Sequence, residues 1–285
     1  MISVIIPAYN AEKTIAEQLE ALESQAFTGE WELIVADNGS TDSTRRLAES
    51  YRDRIPHLKV VDASVSQGAA AARNQGARAA VGDFLAFCDA DDRVDAEWLS
   101  TMVKALERNE FVTGGIDHDS LNPGVDASWH WRSHVTTLPV ALRFLPYALS
   151  GNMAVSRDAF EAVGGFPEDL RAVGEDIAIS WNLQLAGHEL YFEPRAIVAY
   201  RHRHDSGSLW GQYRGFGIAD PVLYRRFRDR GMPPERLRTV LAGYGRLLLK
   251  IPALLSRRKR PSAIRSIAKR WGRLQGSIRE RVFYL

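Results

Sequence analysis

Three carboxylates stand within four residues at Asp89, Asp91 and Asp92, directly after the apolar run Phe84-Leu85-Ala86-Phe87-Cys88. Like charges crowded at a strand end repel one another, and a hard divalent cation carrying a phosphorylated ligand relieves that repulsion. The plainer alternative is a solvated acidic turn in which Asp91 or Asp92 caps a helix beginning near Asp95. A second acidic pair, Glu175 and Asp176 after Gly174, precedes Ile177, Ile179, Leu183 and Leu185 at helix-like spacing, which puts both carboxylates at a helix N-terminus. Acids there complement the helix dipole. Two carboxylates alone would also suit a glycoside hydrolase, but a strand-end metal cluster has no role in that chemistry.

The elements that must position these groups follow one grammar. Ser3 to Asn10 and Leu33 to Asp42 are apolar runs that end in polar turns. Ile15, Leu19 and Leu22 mark a helix after the first, and Ser40 or Thr41 is placed to cap a helix running toward Tyr51 after the second. Leu58 to Val61 reads as a third strand, residues 69–80 as a Gly/Ala-rich helix and residues 83–88 as a fourth strand. Strand and helix in alternation predict an α/β fold with a parallel sheet. Ligands of such sheets sit beyond the carboxyl ends of the strands, where Pro7 to Asn10, Asp37 to Ser40 and Asp89 to Asp92 all fall. The turn Asp37-Asn38-Gly39-Ser40 also reads as an Asx turn with Gly39 at positive φ.

Taken in order, Val4 to Asn10, Val35 to Asp42, Gly68 with Ala72-Arg73-Asn74 and Gly76, Asp89-Ala90-Asp91-Asp92, Gly151-Asn152-Met153-Ala154, Gly164-Gly165-Phe166 and Gly174-Glu175-Asp176 resemble glycosyltransferase family 2. The resemblance covers residues 1 to about 205, and its weight lies in several weak motifs falling in order. It implies a GT-A fold, a Rossmann-like and mostly parallel sheet flanked by helices. It also implies inverting, metal-dependent transfer from a nucleotide-diphosphate sugar, UDP-linked by expectation, to a hydroxyl of a glycan, lipid-linked sugar or secondary metabolite. On that resemblance Pro7, Ala8, Tyr9, Asn10, Asp37 and Asn38 line the nucleotide, Gln67 and Arg73 touch the donor, and Asp89-Ala90-Asp91 is the DxD motif. Its first Asp meets the ribose and its second holds Mg²⁺ or Mn²⁺. Asp176 is implied as the general base with Glu175 as the other choice, and Gly151 and Asn152 belong to the acceptor side. His202 is a candidate metal or phosphate contact, with Arg201 or Arg203 as alternatives for the diphosphate. Asn38 departs from a second Asp common in the family.

Residues 117–147 lack a clear period, and their Trp129 and Trp131 suit either stacking on an acceptor sugar or plain core anchoring. Two rival functions stay open: a sugar-phosphate nucleotidyltransferase, whose Gly-rich basic first turn is missing from Ala8-Tyr9-Asn10-Ala11, and a degenerate nucleotide-sugar-binding or membrane scaffold protein. The expected organisation is a catalytic domain over 1–205, with a nucleotide part to about 116 and an acceptor part from about 117, then a helical basic extension over 206–285.

Composition is that of a globular chain: 285 residues, 45% hydrophobic and 25% charged. Cys88 stands alone, which excludes an intrachain disulfide and fits a reducing compartment. Met1-Ile2-Ser3 leads straight into the first strand, leaving no room for a signal peptide, and no apolar run approaches the roughly twenty residues of a membrane span. The expected location is cytoplasmic, either free or peripheral on the inner face of the membrane. Net charge of +2 hides an asymmetry, because residues 225–285 hold 18 Lys/Arg against three acids and so carry +15. Leu241, Tyr244, Leu247, Leu248, Ile251, Leu254 and Leu255, then Ile264, Ile267, Ala268, Trp271 and Leu274, recur at helical spacing around a basic run at Arg257 to Arg260. These stripes suit an anionic membrane, the catalytic domain itself or a second subunit of a homo-oligomer. Nucleic acid is not expected, since no recognised motif accompanies the charge.

Overall fold

The computed structural model describes residues 1–285 apart from 56, 125–136, 171–172, 203–204, 249 and 257. The first half runs β1 (Ile2–Ala8), α1 (Ile15–Glu23), β2 (Trp31–Asp37), α2 (Thr44–Glu49), β3 (Leu58–Asp62), α3 (Ala69–Ala79) and β4 (Phe84–Cys88). It continues through β5 (Arg93–Val94), α4 (Trp98–Leu106), β6 (Phe111–Asp117), β7 (Asn152–Ser156), α5 (Arg157–Ala162), α6 (Glu175–Leu185) and β8 (Leu190–Ala199), and ends in α7 (Ser206–Phe227), α8 (Leu237–Leu248) and α9 (Arg260–Glu280).

One sheet in the order β3-β2-β1-β4-β7-β6-β8-β5 carries the site. β3, β2, β1 and β4 are mutually parallel, as the alternation of elements predicts. Beyond β4 the sheet is mixed: β7 runs antiparallel to both β4 and β6, β8 is parallel to β6, and β5 is antiparallel to β8. Only β7 and β5 are reversed and the other six strands run the same way, so the sheet is mostly parallel as expected; apolar patterning does not encode strand direction and leaves the two reversals unmarked.

Both sheet faces are covered, which explains strands that are apolar almost throughout. Val4 and Ile6 of β1 pack with Ile15, Leu19 and Leu22 of α1 and Trp98 and Met102 of α4. Ile5, pointing the other way, packs with Ala70 and Ala77 of α3 and Ile179 and Leu183 of α6. A Cβ on Gly76 would stand 2.5 Å from Ile5 Cγ2, so the small residues of α3 let that helix lie close on the sheet.

Two caps differ from expectation. α2 starts at Thr44, whose N–H donates to Asp42 Oδ1 at 2.9 Å, while Ser40 and Thr41 are bonded to Asn10 instead. Ahead of α4, Asp95 accepts the Glu97 N–H at 3.2 Å, while Asp92 takes the distant Arg201 N–H.

The basic extension is built onto the α/β unit that precedes it. Trp181 of α6, Leu223 and Phe227 of α7, Met232 and Tyr284 share one core cluster. α7 and α9 cross so closely that a Cβ on Gly272 would sit 2.1 Å from Arg214 O, a contact that only glycine allows. The boundary expected at 205 therefore precedes a helix that shares its core with the helix bearing Glu175 and Asp176. Among the described residues no helix is long and apolar enough to cross a membrane.

Candidate active site

The ends of β1 and β2 and the loop before α3 are joined through one side chain. Asn38 donates its backbone N–H to Ala8 O at 2.8 Å and its Nδ2 to Ala63 O and Ser66 O, while its Oδ1 accepts from Gly68 N at 2.8 Å. The position needs donors and an acceptor on one side chain, which an amide supplies and a carboxylate cannot. Asn38 is thus buried scaffolding for the turn after β2, which accounts for Asn where the resemblance expects Asp. Gln67 supports the same turn, donating to Asn38 O at 3.3 Å. Asp37, 4% exposed, accepts from Ser40 N at 3.3 Å; Gly39 has the expected positive φ, 80°, but the side-chain bond reaches three residues on, one past that of an Asx turn. Asn10 adopts φ 48°, a conformation asparagine tolerates, and its Oδ1 accepts from Thr41 N. Pro7 is half-buried, Ala8 faces the core, and Tyr9 is exposed at the crevice mouth.

Asp89, Asp91 and Asp92 bring carboxylate oxygens within 4.8 Å of one another. Asp91 is exposed, whereas Asp92 is buried; burial and the charges of Asp91 and Asp89 push its carboxyl well above the usual range. Ala90, also buried, anchors the turn between them. Oxygen-only donors crowded this closely, one of them already driven toward its protonated form, fit a hard divalent cation such as Mg²⁺ or Mn²⁺. Gly151, at the start of β7, lets the chain pass beside the cluster: a Cβ there would stand 2.8 Å from Asp89 Oδ2.

Arg73 links this cluster to the second acidic pair. It is 3% exposed, donating Nη2 to Asp89 Oδ1 at 2.6 Å and Nη1 to Glu175 Oε1 at 3.1 Å. Burial alone would weaken the guanidinium's hold on its proton, but Asp89 and Glu175 outweigh it and keep the group above its ordinary value. Glu175 is committed to that pair. Asp176, in the first turn of α6, makes no direct ion pair among the described residues; burial first and Glu175 second push its carboxyl up to about 7, against the pull of the Ile177 N–H and Arg73. One edge of Asp176 still reaches the crevice surface.

Two expected site residues stand elsewhere. Asn152 is fully buried and faces away from the crevice: its Nδ2 donates to Gly115 O and Ala196 O, and its Oδ1 accepts from Trp98 Nε1. It ties β7 to β6, β8 and α4. His202 lies outside the carboxylate group, its Nε2 3.0 Å from His118 Nδ1. Arg201 does reach the cluster, donating its backbone N–H to Asp92 Oδ1 and its Nε to Asp91 O. Trp129, Trp131, Arg203 and His204 lie outside the described residues.

Sequence reasoning missed Tyr147, Tyr200, His118 and Asn122. The Tyr147 hydroxyl is pushed up by burial and by the charges of Asp176 and Asp220, and that of Tyr200 by burial and by Asp92 and Asp91, which sets one phenol beside each acidic group. Asn122 bonds His118 O, Tyr200 O and the His202 N–H, closing that side of the crevice. Nothing in the periodicity of residues 117–147 marks His118, Asn122 or Tyr147.

The family described as Glycosyl transferase family 2 matches residues 3–164. Glycosyltransferase AglE of Haloferax volcanii is 29% identical over 218 residues, 75% of this chain and 71% of AglE. The UDP-Glc:alpha-D-GlcNAc-diphosphoundecaprenol beta-1,3-glucosyltransferase WfgD of Escherichia coli is 35% identical over 119 residues, 41% of this chain and 46% of WfgD. The match to the Staphylococcus epidermidis poly-beta-1,6-N-acetyl-D-glucosamine synthase spans only 52% of that protein. Among solved structures, S. aureus TarS 1-349 in complex with UDP-GlcNAc covers 100% of this chain and 93% of its own at TM-score 0.57 and 22% identity. Mannosyltransferase PcManGT from Pyrobaculum calidifontis, in complex with GDP-Man and Mn²⁺, covers 96% and 86% at TM-score 0.61 and 20% identity. At such identities the likeness is one of fold, the GT-A arrangement of a sheet between helices.

Proposed function

The chain belongs to glycosyltransferase family 2 and is a glycosyltransferase, and from that premise we propose that it moves a sugar, with inversion, from a nucleotide-diphosphate donor to a hydroxyl acceptor. The observation that carries the reading is the Arg73 bridge. One buried guanidinium joins Asp89 of the acidic cluster to Glu175 beside Asp176, so the donor-phosphate and acceptor-hydroxyl sites are built as one unit.

In this reading the turns at Pro7 to Asn10 and at Asp37 line the nucleotide, Tyr9 lies against the base, and the acceptor-only carboxylate of Asp37 takes a base N–H. Asp89, Asp91 and Asp92 would hold Mg²⁺ or Mn²⁺, which when bound offsets charge building on the departing diphosphate. Asp176 takes the proton of the attacking hydroxyl. A carboxyl near 7 is partly ionised at neutral pH yet basic enough to accept that proton, the compromise a general base requires. Glu175, held by Arg73, positions the helix terminus. Gly151 opens the acceptor side, and residues 206–285 extend the catalytic unit of 1–205 as a basic helical module.

A UDP-linked donor is favoured by neighbours captured with UDP and UDP-GlcNAc, and a metal by the one captured with Mn²⁺. The name of WfgD favours a lipid-diphosphate-linked sugar among the acceptor classes. Family membership speaks against the nucleotidyltransferase alternative. The test is thermal denaturation of the full chain with UDP, GDP and UDP-sugars, with and without Mn²⁺. A ligand at a hundredfold excess over its Kd stabilises the folded state by about 2.7 kcal/mol. Stabilisation by UDP that depends on Mn²⁺ is expected, and no response to any nucleotide under either condition would overturn the donor assignment.

A further inference from the structure

We propose that the outward faces of α8 and α9 dock on an anionic lipid bilayer. α9 buries one side, with Ala263, Ile264, Ala268, Gly272 and Gly276 turned inward. A second apolar ridge, Ile267, Trp271, Leu274 and Ile278, runs along the same helix at helical spacing. Trp271 is 49% exposed, Ile278 70%, and Phe283 just beyond the helix 52%. On α8, Leu237 and Leu241, one turn apart, are 59% and 63% exposed. A helix face meant for water carries polar groups; large apolar side chains repeated over several turns mark a face that meets something apolar.

Charge decides among the occupants. Residues 225–285 carry +15, with Arg238, Arg258, Lys259, Arg260 and Arg281 all exposed. A second copy meeting this face would set one strongly positive surface against another, and an uncharged apolar partner would leave the cations without a counterpart. An anionic bilayer uses both features, taking leucines, isoleucine and the rings into its interface and the cations onto its phosphates. Tryptophan suits that boundary, having one apolar and one hydrogen-bonding edge.

The test is co-sedimentation of the full chain with vesicles of phosphatidylcholine alone or doped with phosphatidylglycerol. Truncating the extension is no test, because Tyr284 packs with Trp181 and Phe227 in the core. Binding is expected only to the doped vesicles, and it should fall steeply in molar salt, where the Debye length shrinks to about 3 Å. Each basic residue near such a surface strengthens partition about fivefold, so Arg258→Glu with Lys259→Glu should weaken binding by about 25-fold or more. Ile278→Glu should weaken it by about tenfold at unchanged charge elsewhere. Circular dichroism and nucleotide binding report whether each variant stays folded; the lipid and salt series on the parent chain decides the question even if one does not. Equal binding to neutral and doped vesicles, no binding to either, or a concentration-dependent dimer abolished by Ile278→Glu would overturn the proposal.

Discussion

Replacing Asp176 by Asn should inactivate the protein and stabilise it. The side chain keeps its shape, and the amide oxygen can still accept the Ile177 N–H that Asp176 Oδ1 holds at 2.8 Å. What disappears is a carboxylate that the fold would rather see protonated, since burial and Glu175 raise it from 3.8 to about 7. A raised folded-state value means that the folded chain binds more protons than the unfolded one between about pH 4 and 7, so the parent loses stability as pH rises through that window. A shift of roughly three units at 1.36 kcal/mol each sets a ceiling of about 4 kcal/mol, and contact of the carboxyl with crevice water brings the expected gain nearer 2 kcal/mol. At about 2 °C per kcal/mol for a chain of this size, Asp176→Asn should melt several degrees above the parent at pH 8 and converge with it near pH 4. Turnover should fall by about a hundredfold or more, the scale of a lost general base. Differential scanning calorimetry across that pH range, paired with transfer kinetics, checks both. A variant no more stable than the parent at pH 8, or an advantage that persists unchanged into acid, would refute the reasoning about ionisation at this position.

Asp91→Ala should abolish Mn²⁺-dependent binding of UDP while leaving the melting temperature almost unchanged, because Asp91 is an exposed strand-end group; calorimetric titration with and without Mn²⁺ reads this out. Gly151→Ala should displace the Asp89 carboxylate, which a Cβ would approach to 2.8 Å, and weaken Mn²⁺ by about tenfold, measured by direct metal titration. Asn38→Asp should destabilise the fold by about 2–4 kcal/mol, since it trades two donated hydrogen bonds for a buried carboxylate facing Ala63 O and Ser66 O; a urea midpoint within error of the parent would contradict the scaffolding role.

Much of the site was legible because its parts are local. Each strand of the first half announces itself by an apolar run, and the polar residues that follow must fall at its carboxyl end, which located Asp37, Asp89 and Asp91 without coordinates. Glu175 and Asp176 were placed by the helix that follows them. What stayed hidden depends on partners far away in sequence. Arg73 meets Glu175 across a separation of 102 residues, and no spacing rule pairs them. Asn152 sits beside Gly151 at the right place for an acceptor contact, yet its direction is fixed by carbonyls of two other strands. The reversal of β7 escaped notice for a related reason, since burial on both faces looks the same whichever way a strand runs.

The Arg73 bridge also constrains how such a site can drift. Buried Arg73 is the shared partner of Asp89 and Glu175, so losing it leaves two carboxylates uncompensated, and losing either carboxylate leaves the guanidinium half-neutralised. Single replacements should therefore each look severe, while a joint replacement costs far less than their sum, which is the signature of strong epistasis. A descendant of this protein that lost Arg73 would have to exchange Asp89 and Glu175 at nearly the same time. Its route passes through poorly folded intermediates, so this part of the crevice changes in concerted steps rather than one substitution at a time.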